Sequence, residues 1–447
     1  MQQTVTTFNS KYILMISFIS AMGGYLFGFD FAVIAGALPF LKEQFAFNEY
    51  WEGFATASLA LGCIAGCLVA GSFSDKYGRK PGLMLAAAIF FISSLAMAFS
   101  HNRDLFIFSR FVAGIGVGMA SMLSPLYIAE IAPADTRGRM VAINQLTIVT
   151  GILITNLVNY YLRNSGVDAW RWMVGLGVVP SGIFLLGVVW LPESPRWLLK
   201  EGKDAAAATV LSKIGNQAFV DETTQKIKSS LKGVTTKFSY AAVFKKAVFP
   251  AVVVGIGLAV FQQFCGINVV FNFTTTIFAS VGFSTDNQLK QTVFIGIVNL
   301  LFTLLAMWQV DKMGRKPLMI FGCISLAILY VVSAYFLQTK SPLAAWPLLA
   351  AIGVYAMTIG PVTWVLISEI FPNRIRGAAT SVAVISLWLS YALLVFTFPI
   401  LASKLGAYTP FYIYAGICVV GFVFVKYKVK ETKGQTLEEL ENNFIGH

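Results

Sequence analysis

Charge and histidine are what this chain has least of. Only 12% of its 447 residues are charged, and only two are histidines, His101 and His447. So few imidazoles exclude a histidine metal centre and a histidine proton relay. Cysteine is sparse as well. Cys63, Cys67, Cys265, Cys323 and Cys418 all lie in apolar stretches and read as small packing residues, not as a disulfide frame or metal cluster. No nucleophile–base pair, phosphate-binding loop or metal motif occurs, so the chain does not read as an enzyme and no bound cofactor or metal is expected. Long hydrophilic stretches are missing too, apart from 192–247 and a short tail.

Apolar sequence fills the space instead. The chain is 57% hydrophobic and 14% aromatic, which makes lipid its solvent. A net charge of +12 invites a nucleic-acid reading. The basic residues lie in short loops between apolar runs, however, so a positive-inside bias accounts for them without a nucleic-acid partner. Twelve spans are expected, at 12–40, 51–73, 81–100, 104–132, 138–162, 171–191, 248–281, 289–311, 317–337, 343–372, 376–401 and 408–427. Each approaches or exceeds the roughly 20 residues that cross a hydrocarbon core. With both termini cytoplasmic, 25 basic residues lie inside and seven outside: Lys42, Arg103, Arg163, Arg171, Lys290, Lys340 and Lys404. Arg110 lies within a span. An integral multi-pass protein of the plasma (bacterial inner) membrane follows. The polar start and long first apolar run argue against a cleavable signal. The sequon Asn272-Phe273-Thr274 falls inside a span and is spurious.

A short basic string occurs twice. Asp75-Lys76-Tyr77-Gly78-Arg79-Lys80-Pro81 returns 236 residues later as Asp311-Lys312-Met313-Gly314-Arg315-Lys316-Pro317. Glu130, Pro133, Arg137 and Gly138 return 239 residues on as Glu369, Pro372, Arg376 and Gly377. The chain is a tandem duplication of a membrane half, the pattern of transporters that rock one half against the other. The expected domains are a six-helix bundle at 1–191, cytoplasmic linker helices at 192–247, a second bundle at 248–427 and a cytoplasmic tail at 428–447. Within the linker, Ala205–Ile214 has helical composition and 221–231 offers a second short helix. The linker reads either as a solvated connector or as a gating platform. The weak amphipathic stretch Leu437-Glu438-Glu439-Leu440 marks the tail. Arg79 and Arg315 can pair with Glu130, Glu369, Glu193 or Glu431 on other helix ends, latching the cytoplasmic side. Simple anchoring would require neither the aspartate, the glycine nor the duplication. Each exposed pair is worth only ~0–1 kcal/mol, but a set that forms in one state biases a two-state equilibrium.

Asp30 lies inside the first span, in Gly23-Gly24-Tyr25-Leu26-Phe27-Gly28-Phe29-Asp30. A carboxylate at membrane depth costs at least ~2.5 kcal/mol and defaults to function. Arg110 lies at a compatible depth in span 4 and is its expected partner; a purely structural ion pair is the alternative. A second constellation is neutral. Gln145, Gln262, Gln263, Asn268 and Asn299 place amides near the midplane, with Gly266 able to unwind span 7 and Gly360-Pro361 able to break span 10 before Trp364. Amides supply donor and acceptor together, which suits a polyhydroxylated ligand. One such amide alone would be ordinary interhelical glue.

The two basic turns, Pro192-Glu193-Ser194-Pro195-Arg196-Trp197 after span 6 and Glu431-Thr432-Lys433-Gly434 after span 12 resemble the sugar porter family of the major facilitator superfamily. So do Gln262-Gln263-Phe264-Cys265-Gly266-Ile267-Asn268 and Gly360-Pro361-Val362-Thr363-Trp364. The likeness covers essentially the whole chain. It leans toward bacterial xylose–proton symporters and, more distantly, animal glucose transporters. It implies an all-α membrane protein of twelve transmembrane helices in two six-helix repeats, the major facilitator fold. It also implies a monomer that moves a hexose or pentose by alternating access with a proton as coupling ion. By resemblance, Asp30 carries the proton and Arg110 modulates it. Phe27, Trp364 and Trp388 join the amides around the sugar. Arg79, Glu130, Arg137, Glu193, Arg196, Arg315, Glu369 and Arg376 form the cytoplasmic gate, and Asn272 and Phe273 take the outer gate, where relatives carry a tyrosine pair. Two further departures stand out. Leu387 replaces an amide before Trp388, and Gly177 replaces a span 6 carboxylate of the xylose symporters. Facilitative uniport is the nearest alternative. A membrane sugar sensor and an exporter of apolar cations are more distant ones.

Overall fold

The structure, a computed structural model, describes residues 8–232, 248–371 and 376–433; side chains of 134–135, 230–232, 310–311, 368 and 376–377 fall outside the described set. Part of the expected linker, Pro372, the Asp311 and Arg376 side chains, Gly434 and the amphipathic tail stretch therefore lie outside the described residues. The first half contains α1 (Ser10–Phe45), α2 (Glu49–Tyr77), α3 (Arg79–Ala98), α4 (Arg103–Ile131) and α5 (Ala134–Leu162), and a sixth span made of α6 (Ala169–Gly175) and α7 (Val178–Trp190). Three short helices follow: α8 (Pro195–Lys200), α9 (Asp204–Ile214) and α10 (Gln217–Lys232). The second half opens on a span in three pieces, α11 (Phe249–Phe264), α12 (Ile267–Asn272) and α13 (Thr274–Ala279). It continues with α14 (Thr285–Met313), α15 (Arg315–Gln338), α16 (Ala345–Met357) with α17 (Ile359–Glu369), α18 (Arg376–Leu405) and α19 (Thr409–Lys428). Among the described residues, twelve helical spans are thus long and apolar enough to cross a membrane, six on each side of the short helices.

Asparagine caps begin several spans. The Asn48 and Asn102 side chains accept the backbone N–H groups of Trp51 at 3.0 Å and Leu105 at 2.8 Å. α1 runs to Phe45 with Pro39 inside it, beyond the end expected near residue 40. The sequence missed α8, which starts where Ser194 caps the Trp197 N–H and Pro195 takes the first helical position. The short helices dock on the first half. Asn9 N–H donates to the Ile214 carbonyl at 2.9 Å, and Phe8 meets Phe219 edge-on at 5.2 Å.

Lipid satisfies no backbone polar groups, so helices break only where protein surrounds the break. Cys265 and Gly266 separate α11 from α12. Gly266 has φ +88° and the Tyr414 ring lies where a Cβ would be. In the tenth span the break falls at Thr358 (φ −123°, ψ −90°), two residues before the expected Gly360-Pro361. Thr358 Oγ1 donates back to the Val354 carbonyl at 2.6 Å, and Pro361 sits in the first turn of α17, where its missing N–H is no loss. The halves meet along α2 with α18 and α5 with α14, while α1 faces α12 and α13.

Candidate functional site

Repetition reaches atomic detail on the face that carries the basic turns. Arg79 Nε and one terminal nitrogen each donate to Glu130 at 3.0 Å, and Ser194 Oγ donates to Glu130 at 2.6 Å. Glu193 accepts the backbone N–H groups of Arg79 at 2.9 Å and Lys80 at 3.2 Å. In the second half Arg315 donates to Glu369 at 3.2 Å, and Thr432 Oγ1 donates to Glu369 at 2.5 Å. Glu431 accepts the N–H groups of Arg315 and Lys316, both at 3.0 Å. Glu193 and Glu431 thus sit on the N-termini of α3 and α15, where orphan donors and the dipole favour a carboxylate. The named partners of Arg79 and Arg315 lie in the same half as their arginine. Arg137 and Arg196 are exposed and make no ion pair among the described residues.

Gly78 shows why the turn requires glycine. It adopts φ +105°, ψ 166°, and a Cβ would stand 2.2 Å from Glu193 Oε2. Gly78→Ala is expected to cost about 1–3 kcal/mol in backbone strain alone, with eviction of Glu193 added. Its thermal unfolding midpoint should fall well below that of Gly416→Ala, where a Cβ meets nothing within 4 Å. Equal midpoints would mean that neither the backbone strain nor the displaced carboxylate costs stability.

The two cradles differ in charge balance. Burial pushes the Glu193 carboxyl above its usual value, against hydrogen bonds from the Ser194, Arg79 and Lys80 N–H groups. Burial acts in the same direction on Glu431, but bonds from the Arg315, Lys433, Lys316 and Thr432 N–H groups leave it below the usual value. As pH falls, Glu193 should take a proton first. Amide exchange protection is then expected to weaken at Arg79 and Lys80 before Arg315 and Lys316; the reverse order would refute this.

Deeper in the first half, Asp30 on α1 and Arg110 on α4 are both fully buried, with Asp30 Oδ1 3.5 Å from an Arg110 terminal nitrogen. Arg110 Nε donates to the Ala55 carbonyl at 3.0 Å. Among the described residues, neither Asp30 oxygen and neither Arg110 terminal nitrogen has a hydrogen-bond partner. The contact is a bare charge pair. Gly177 leaves no room for a second carboxylate, since a Cβ there would lie 2.8 Å from both Phe29 and Ser94.

An amide row lines the break in the seventh span. Gln262 Nε2 donates to the Gly360 carbonyl at 3.0 Å and so ties this break to the start of α17. Asn268 Nδ2 donates to Gln263 Oε1, and Gln263 Nε2 lies 3.5 Å from Gln262 Oε1. Asn272 Nδ2 donates to the Asn268 carbonyl at 2.7 Å. Phe27 meets Trp388 edge-on at 5.6 Å, and Phe273 packs on Phe398 at 5.0 Å. Gln145 on α5 is exposed, Asn299 on α14 is buried and Trp364 on α17 is 44% exposed; none of the three hydrogen-bonds to the row. Leu387 is buried in the apolar core.

Sequence reading missed the contacts that join the halves on the opposite face. Glu52, 2% exposed, pairs with Lys42 at 2.6 Å and accepts from Thr276 Oγ1 at 2.7 Å. Thr275 Oγ1 donates to the Ala35 carbonyl at 2.9 Å, Asn156 to the Thr292 carbonyl at 2.8 Å and Arg163 to Asp286 at 2.5 Å. Glu52 carried a signal, being a carboxylate three residues into an apolar run, but its partners are more than 200 residues away in sequence apart from Lys42.

Comparison with known proteins places these features in context. The family model described as "Sugar (and other) transporter" matches residues 16–444. The D-xylose-proton symporter of Escherichia coli (strain K12) is 39% identical over 476 residues, covering 98% of this chain and 96% of its own. The arabinose-proton symporter of Bacillus subtilis (strain 168) is 36% identical over 444 residues, covering 97% and 95%. Among solved structures, the partially occluded inward open conformation of the xylose transporter XylE from E. coli superposes with a TM-score of 0.85 at 36% identity, covering 96% of this chain and all of that one.

Proposed function

The chain belongs to the sugar (and other) transporter family, and on that premise we propose that it carries a monosaccharide across the membrane by alternating access, with a proton as coupling ion. The amide row Gln262, Gln263 and Asn268 carries this reading. These three buried amides converge at a left-handed break beyond which α12 packs against α1 of the other half, and a sugar hydroxyl both donates and accepts. Phe27, Trp364 and Trp388 supply apolar faces for the ring, and Gln145 and Asn299 complete the site from α5 and α14. Asp30 is the proton carrier and Arg110 its modulator.

The basic face is cytoplasmic, with both termini on that side, and the protein is a monomer of the bacterial inner membrane. The contacts from Glu52, Thr275, Asn156 and Arg163 close the outer face, which makes this the inward-facing state, in keeping with its similarity to an inward open xylose transporter. The bodies 1–191 and 248–427 rock against each other, and the linker helices within 192–247 travel with the first through Asn9 and Phe8. The Arg79–Glu130–Glu193 and Arg315–Glu369–Glu431 clusters keep each half stiff during that motion, because their bonds stay within one half in a state whose outer face is closed.

Uptake of a labelled sugar panel into proteoliposomes, with and without an imposed pH gradient, tests the proposal. Accumulation above equilibrium with the gradient supports symport. Equilibration regardless of the gradient would make the protein a facilitative uniporter, and no uptake or binding of any pentose or hexose would overturn the sugar reading.

A further inference from the structure

Tyr391 lies on α18, a 30-residue helix with Pro399 inside it, and is 2% exposed. Its hydroxyl donates to Asn272 Oδ1 at 3.0 Å, on the last residue of α12. Its ring lies 5.9 Å from Phe31 of the other half and 5.9 Å from Trp388. Phe31 in turn meets Phe271 of α12 at 5.6 Å. The α12 segment is six residues long, bounded by Gly266 at φ +88° and by the break at Phe273. A piece so short has little of its own to hold it in place. The tie to Tyr391 therefore supplies its position from a rigid neighbour.

The same tie is the end of a continuous chain. Tyr391 donates to Asn272, Asn272 to the Asn268 carbonyl, Asn268 to Gln263, Gln263 to Gln262 at 3.5 Å, and Gln262 to the Gly360 carbonyl. Gln263 Oε1 keeps a second lone pair and Asn268 Nδ2 a second hydrogen, so a sugar hydroxyl that engages either joins this chain directly. We propose that Tyr391 is the positioning residue that couples occupancy of the amide row to closure of the outer face, by pinning α12 to α18 through Asn272 while its ring rests on Phe31 of the opposite half. This rests on the sugar reading above for the identity of the ligand, but not for the gate itself. The device needs both the hydroxyl and its acceptor. The phenol alone would pack the core, and the bond alone would not reach the other half.

Tyr391→Phe removes one oxygen and keeps the ring contacts, so it preserves packing. With D-xylose and D-glucose as probes in proteoliposomes, turnover should fall by roughly fivefold or more while the binding constant moves less than about twofold, because a positioning role acts on the conformational step. Spin labels at Ser165 and Lys404 on the outer face should show a new long-distance population in the unliganded variant. Asn272→Leu should give the same shift, and the double variant should be no worse than either single one, as for two ends of one bond. Outer-face distances unchanged in both single variants overturn the proposal, whatever the turnover. If the parent binds and moves neither sugar, the sugar reading fails instead, and the unliganded distances still decide on the gate.

Discussion

Asp30→Asn is expected to accumulate no sugar against its gradient when a pH gradient is imposed, while exchange of labelled for unlabelled sugar persists. The geometry supplies the reason. Asp30 meets Arg110 at 3.5 Å with both side chains fully buried, and no hydrogen bond holds either Asp30 oxygen. At an effective dielectric of about 20 this pair attracts by about 5 kcal/mol. A proton arriving on Asp30 removes that attraction without first breaking a hydrogen bond, so one proton changes the force between α1 and α4 by an amount comparable to the gap between conformational states. Asparagine nearly keeps the shape and cannot titrate. It also leaves Arg110 buried without its counter-charge, a loss of ~3–5 kcal/mol of stability, so transport must be normalised to folded protein. Asp30→Glu provides the control: it restores a titrating group and should recover accumulation at a lower rate. Accumulation by Asp30→Asn equal to the parent would move the proton to another group.

Much of this was legible in the chain. Twelve spans, two halves and the repeated basic turns follow from hydropathy and from strings that recur 236 residues apart, because lipid forces backbone bonds inside each segment. Depth along the helices also brought Asp30 to Arg110, and a glycine after two glutamines marked the break at Gly266. What resisted reading was whatever depends on side chains from distant segments. The tenth span breaks at Thr358, two residues ahead of Gly360-Pro361, since Pro361 cannot make the ladder bond back to Met357 and so falls in the first turn of the next helix. The Glu52–Thr276 contact and the Tyr391–Asn272 bond join residues 224 and 119 positions apart. No local periodicity announces such pairs. At Asn272 the sequence shows only that a tyrosine is lacking, while the phenol that meets it arrives from α18.

Gln263→Leu is expected to weaken binding of every sugar tested. Gln263 is 5% exposed, accepts from Asn268 Nδ2 and reaches Gln262 Oε1 with its own amide. Leucine matches the bulk and removes both the donor and the acceptor. Asn268, 8% exposed, then loses the partner of its Nδ2, which costs ~1–3 kcal/mol. The sugar loses an amide that could have both given and taken a hydrogen bond. If the binding free energy bears a loss of that size, the dissociation constant rises by roughly fivefold to 150-fold. Xylose, glucose and their deoxy analogues should all weaken alike, since an amide at the centre of a site serves more than one hydroxyl. Gln145→Leu removes an exposed amide from α5 and should discriminate among the analogues instead, losing most for the sugar whose hydroxyl faces that helix. Titration calorimetry on both variants separates the two patterns. Parent-like binding by Gln263→Leu would reduce the row to bonds that hold α11, α12 and α17 together, and the sugar would have to be sought elsewhere between the halves.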